Sequence, residues 1–302
     1  MPRSAGPSVA WLVAFLSCLP ASLAGQTNPY TESLVPKLRA LATAVPGELP
    51  TALHFITYAD WHGPASYALE RAPAESVDVS FPVFQVRYRR GWIVVDAGSD
   101  REVAGPEVTY SQERYDQVQQ ALRLARLILV THEHHDHVSG VIRSPHLSEV
   151  APKTLLNRAQ LRTLMERPNV PTIRIDSVSA AAYLTVDFGF LLPVAPGVVL
   201  IKAAGHTPGS QMIYIRLGTG KELILTGDIA WLMRGIHELQ QKPEATSREL
   251  GEDRAAIQQQ LHWLNRLATT SKIAVLPCHD RAWLDTWRKR GALKEGLDLS
   301  AP

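Results

Sequence analysis

The stretch LILVTHEHHDHVSG, residues 127–140, packs four histidines, an aspartate and a glutamate into six consecutive positions directly after an apolar run. Neutral imidazoles and carboxylates are the side chains that hold divalent cations such as zinc. Similar residues recur further along: His206 in KAAGHTPGS, Asp228 in LILTGDIAW and His279 in AVLPCHDRAW, while Asp96 closes WIVVDAG. Singly, His206 or His279 would read as a hydrogen-bonded structural histidine, and Asp96 before Ala-Gly as a turn residue. The recurrence changes that reading, because each polar candidate follows an apolar strand-like run, and strand ends at one sheet edge gather distant residues into one pocket. The histidines 132, 134, 137, 206 and 279 with Asp136 and Asp228 are enough for two ions that share a bridging ligand.

The elements that must position these residues come in two similar sets. Runs 53–58, 80–89 and 92–96 read as strands, a helix is expected over 111–127 from the spacing of Tyr115, Val118, Leu122 and Ala125, and 127–131 reads as a buried strand. The second set has strands at 198–203, 211–216 and 222–226, then a long helix from Ser247 to Thr269 with Ile257, Leu261, Leu264 and Ala268 facing inward. A strand at 272–277 and a helix at 281–291 follow. Strands followed by a helix, twice, suggest two facing sheets with helices outside. Gly205 and Gly209 are expected to give the His206 turn its positive φ angles.

The 302 residues suffice for one large domain or two small ones, and 45% hydrophobic residues is an ordinary globular balance. A formal net charge of +2 points to neither nucleic acid nor an anionic membrane surface. Residues 1–24 read as a secretory signal peptide, with an apolar segment from Val9 to about Leu19 and the small-residue pattern Ser22-Leu23-Ala24 before the expected cleavage. That places the mature protein in the periplasm or outside the cell, without stable membrane insertion. It would retain one cysteine, Cys278, and so no internal disulfide. Residues 25–52 form a lead-in to a catalytic domain at 53–302.

The motif His132-x-His134-x-Asp136-His137, with Gly205-His206, Gly227-Asp228 and a later His279, resembles the metallo-β-lactamase superfamily, over about Leu53 to Trp287. The resemblance implies an α+β fold, a four-layer αβ/βα sandwich. It implies two zinc ions, one held by His132, His134 and His206, the other by Asp136, His137 and His279, bridged by Asp228. Asp96 would orient a ligand or its loop rather than touch metal. Glu133 and His135 fall at the variable positions of the motif and, like Cys278, read as groups of the loop or behind the ligands; the Cys278 side chain is expected to point away from that of His279.

Two such ions would lower the pKa of a shared water to about 7, which implies hydrolysis with Asp136 and Asp228 as the catalytic carboxylates. No G-x-S-x-G motif suggests a nucleophilic serine. β-Lactamases of this superfamily lack an aspartate at the place of Asp228, whereas its lactonases, glyoxalase II-like thioesterases and many phosphodiesterases have one. The favoured substrate is therefore a small ester or lactone, like an acyl-homoserine lactone; the alternatives are β-lactam or thioester hydrolysis and a non-catalytic zinc protein. Many such lactonases carry a tyrosine three residues after the aspartate, where this chain has Trp231. Segment 232–249, Trp61 and Trp231 are expected to frame the pocket, and His62 to line it.

Overall fold

The computed structural model describes residues 28–300. The expected signal peptide, residues 1–24, lies outside the described residues. The strands in chain order are β1 (Ala52–Pro64), β2 (Ser76–Arg87), β3 (Trp92–Val95), β4 (Thr109–Tyr110), β5 (Leu127–Leu129), β6 (Thr154–Asn157), β7 (Leu184–Val186), β8 (Leu191–Ala195), β9 (Val198–Lys202), β10 (Gln211–Arg216), β11 (Glu222–Leu225), β12 (Ala274–Leu276) and β13 (Leu293–Glu295). One sheet runs β13-β1-β2-β3-β5-β6-β7, with β4 beside β1; the other runs β12-β11-β10-β9-β8.

Alternation along the strands builds the layers. Leu53 and Phe55 of β1, Ile93 and Val95 of β3, Val198 and Leu200 of β9, and Ile213 and Ile215 of β10 meet in the core between the sheets. Their neighbours face outward: Trp92 and Val94 pack under the helix Gln112–Leu124, whose Tyr115, Val118 and Leu122 match the predicted stripe. Val199, Ile201, Met212 and Tyr214 pack under the helix Arg254–Thr270. Period-two strands that are apolar on both faces need cover on both sides, which is the αβ/βα sandwich expected from the sequence. The lead-in contributes a helix, Leu34–Leu41, whose Leu34 and Leu38 join this second outer layer.

The long helix predicted from Ser247 is two helices, Glu244–Leu250 and Arg254–Thr270. Gly251, in the left-handed region at φ 72°, ends the first, and the Asp253 carboxylate caps the second by accepting from Ala255 N and Ala256 N. The break turns Glu252 inward, which an unbroken helix would not have done.

Candidate metal centre

The site is built at the C-terminal ends of five strands. β3 and β5 are parallel, as are β11 and β12, and β9 runs antiparallel to β10, which itself runs antiparallel to β11. Asp96, His132, His206, Asp228 and His279 therefore all follow strands that point toward the same end of the sandwich. Asp96, buried and held at φ 63°, ties the first sheet's share together. Its carboxylate accepts from Thr131 N at 2.7 Å, from Thr131 Oγ1 at 3.0 Å and from His137 Nδ1 at 2.9 Å. It fixes the His137 ring and the start of the histidine-rich loop. Gly227, at φ 55°, makes the turn that delivers Asp228.

All seven residues singled out as ligands converge. His206 Nε2 lies 2.9 Å from His134 Nδ1, and the Asp228 Oδ2 atom is 3.8 Å from His132 Nε2 and 3.6 Å from His206 Nε2. The other oxygen, Oδ1, is 3.4 Å from His137 Nε2 and 3.0 Å from His279 Nε2. Asp136 Oδ2 completes this second group at 3.1 Å from His137 Nε2 and 3.6 Å from His279 Nε2. One carboxylate thus straddles two nests of ligand atoms. The Nε2 atoms of His132 and His137 are buried without any hydrogen-bond partner. Buried nitrogens left open in this way, facing carboxylates, fit a pair of divalent cations.

The opposite ring nitrogens explain why the inward ones are free. His137 Nδ1 donates to Asp96, His279 Nδ1 to Ser80 O at 2.7 Å, and His206 Nδ1 to Glu252 Oε1 at 2.7 Å. Each acceptor fixes the proton on Nδ1 and leaves the Nε2 lone pair for the centre.

Electrostatics divide the two nests. Burial, reinforced by neighbouring imidazoles, holds His132 well below the ordinary histidine range and pushes His134 down to about 3. Burial also acts against charge on His137 and His279, but there the carboxylates outweigh it: Asp136, Asp96 and Asp228 raise His137, and Asp228 raises His279. Asp136 and Asp228 are held low despite burial, by His137 and His279 respectively as the leading partners. These raised values favour protons on the second nest, and a divalent cation held there would supply the same positive charge in their place.

Of the neighbouring residues, some stand where the sequence placed them and others do not. Glu133, fully buried, accepts from Thr207 Oγ1 at 2.8 Å and Gly209 N at 3.1 Å, pinning the His206 turn to the histidine-rich loop. Gly205 and Gly209 are not in the positive-φ region. Gly209 is required for space instead, since a Cβ there would sit 2.4 Å from Gln160 Cγ and 2.5 Å from Glu133 Oε2. Cys278 does not point away from His279: its thiol donates to Asp228 Oδ1 at 3.1 Å, the oxygen that His279 Nε2 also approaches, because β12 ends at Leu276 and strand alternation no longer applies. Trp231 Nε1 donates to Asp228 Oδ2 at 2.7 Å, a contact for which the sequence had no signal. His135 sits at the rim, where Asn169 Oδ1 accepts from its backbone N–H. His62, 69% exposed at its side chain, pairs with Asp78 outside the pocket.

A cavity of about 330 Å³ opens onto Asp136, Asp228, His134 and His279. Trp61, Tyr67, Phe81 and Trp231 form much of its wall, with Val79, Val108 and Leu250, and among the described residues no lysine or arginine lines it. The expected framing by Trp61 and Trp231 is present. Segment 232–249 does not reach the cavity; its Met233, Gly235 and Ile236 are buried in packing, which turns the segment inward behind Trp231.

The family model described as metallo-beta-lactamase superfamily matches residues 83–237. No curated protein matches the chain. Among solved structures, a quorum-quenching N-acyl homoserine lactone lactonase is similar at TM-score 0.64 and 16% identity, covering 80% of this chain and 97% of its own. A B. thuringiensis AiiA mutant with N-decanoyl-L-homoserine bound at its active site gives TM-score 0.62 at 16% identity, over 79% and 96% of the two chains. AidC, a dizinc quorum-quenching lactonase, gives TM-score 0.55 at 15% identity, over 78% and 90%. At such identities the likeness is one of fold.

Proposed function

Because the chain belongs to the metallo-β-lactamase superfamily, whose solved relatives here are metal-dependent hydrolases, we propose that it is itself a dizinc hydrolase that opens an ester or lactone bond in an uncharged, largely apolar substrate of the acyl-homoserine-lactone type. The observation that carries this reading is the pocket beside the cluster: aromatic walls, no lysine or arginine among the described residues, and carboxylates from Asp136, Asp228 and Glu107. β-Lactams, phosphodiesters and glutathione thioesters bring negative charge that such a wall does nothing to neutralise. A neutral acyl lactone brings apolar surface that Trp61, Tyr67 and Phe81 can cover.

His132, His134 and His206 would hold one zinc and Asp136, His137 and His279 the other, with Asp228 between. When bound, the pair supplies Lewis-acid activation of water and of the substrate carbonyl. Asp136, which lines the cavity, orients the attacking water. Trp231 fixes Asp228 through its indole N–H, and the aromatic wall excludes bulk water. Export is proposed with this activity, on the strength of residues 1–24, and intact-mass measurement of the secreted or periplasmic protein checks it by a start near Gly25.

Hydrolysis rates of the zinc-loaded protein on lactones, thioesters, β-lactams and phosphodiesters test the assignment. Acyl lactones and apolar esters should lead. A clear preference for an anionic β-lactam or phosphodiester would overturn it.

A further inference from the structure

Behind the histidine ligands lies a buried ion pair that the hydrolytic reading does not use. The side chains of Lys242 and Glu252 are 2% and 1% exposed. Lys242 Nζ donates to Glu252 Oε1 and to the backbone oxygen of Asp228, each at 2.7 Å. The same Oε1 accepts from His206 Nδ1 at 2.7 Å, and Ser247 Oγ donates to Oε2 at 2.8 Å. Arg254 fastens the segment by donating to the Lys242 carbonyl at 2.6 Å, and Asp253 N donates to Gly205 O at 2.8 Å.

We infer that Lys242 and Glu252 are a positioning pair: Glu252 fixes the tautomer and ring orientation of His206, while Lys242 holds the Glu252 side chain in place and anchors the loop of Asp228. The inference rests on the reading of His206 and Asp228 as metal ligands. A buried ion pair is weak as a device for stability alone, since well-packed apolar residues of similar size do as well or better. This pair instead spends its bonds on the two loops that meet at the cluster. A carboxylate can only accept, so Glu252 requires the His206 proton on Nδ1 and leaves Nε2 facing His134 and Asp228. An amide at position 252 could present either its NH2 or its oxygen to the ring, and the tautomer would no longer be dictated. The Lys242 ammonium meanwhile reaches Asp228 O from the same atom that contacts Glu252, so displacement of either loop disturbs the other.

The test is zinc affinity of the full chain, measured by competition with a chromophoric chelator, for the wild type, Glu252→Gln, Lys242→Met and the double variant, with thermal midpoints alongside. Glu252→Gln should weaken one of two zinc ions by about 10- to 100-fold, the scale for losing an outer partner of a metal-bound histidine. Lys242→Met leaves the Glu252 charge without its ammonium partner and should lower the midpoint most. In the double variant that imbalance is gone: the midpoint should recover toward wild type while the affinity does not. Wild-type affinity for both ions in Glu252→Gln, or affinity recovering together with the midpoint in the double variant, overturns the inference and leaves the hydrolase reading intact. A folded wild type that binds no zinc removes that reading and this inference with it.

Discussion

The two nests of ligand atoms share one carboxylate and one end of the sandwich, yet differ in what faces them. In the nest of His132, His134 and His206, imidazoles crowd one another in a buried setting, and His132 and His134 are driven toward the neutral form. In the nest of Asp136, His137 and His279, carboxylates dominate, and both histidines cling to protons. Similar donors at similar depth thus compete with protons very differently. The partner on the far ring nitrogen is also different: an ion-paired glutamate for His206, Asp96 for His137, a backbone carbonyl for His279.

The largest expected effect comes from removing what the nests share. Asp228→Ala should lose or weaken one ion and cut hydrolysis at least about a hundredfold, while the fold persists on the remaining histidines. Retention of both ions and full turnover would remove the bridge from the mechanism. Acidification should next separate the nests. Ions bound at His137 and His279 displace protons, so affinity there falls as the pH drops below the raised values; at His132 and His134, whose values are lowered, acid has little to add until far lower pH. Dialysis at about pH 5.5 should therefore remove the ion of Asp136, His137 and His279 first, and loss of both together would contradict the division. The metal-free protein gives the opposite sign. Its raised histidines contribute stability that is complete below about pH 6.5 and is lost as pH rises through their folded values, so its thermal midpoint should decline into alkali, and zinc should abolish that decline.

The sequence made the convergence of the seven cluster residues legible because they follow apolar runs, and a strand end is where a fold exposes such residues. Layering was legible for the same reason, through alternation in β1, β3, β9 and β10. Strands β6, β7 and β8 went unread, since short runs such as the mostly exposed Leu184–Val186 and the half-buried Leu191–Ala195 carry no clean period. The partners of the ligands were hidden more deeply. Glu252 reaches His206 only because the helix breaks at Gly251, and the helical spacing on either side masked a break whose signals, Gly251 and the capping Asp253, were present. Cys278 and Trp231 reach Asp228 through irregular turns, where no periodicity says which way a side chain points.

Those turns supply the smaller predictions. Trp231→Phe keeps the wall but removes the indole donor to Asp228, and should lower turnover by about tenfold with both ions retained, the scale of one hydrogen bond to a charged group. Loss of an ion in that variant would instead make Trp231 part of the metal scaffold. Cys278→Ser keeps a donor facing Asp228 and should change turnover by less than about threefold, provided the thiol is only a hydrogen-bonding neighbour. A thiolate-to-metal charge-transfer band in the cobalt-substituted protein, absent from Cys278→Ser, would show that the second nest uses sulfur as well.

The most direct measurement of the central claim is the metal content of the purified, untagged protein after growth with zinc. Seven converging histidine and aspartate side chains with one carboxylate across two nests predict about two zinc ions per chain. A folded, monodisperse sample that carries close to none would contradict the account.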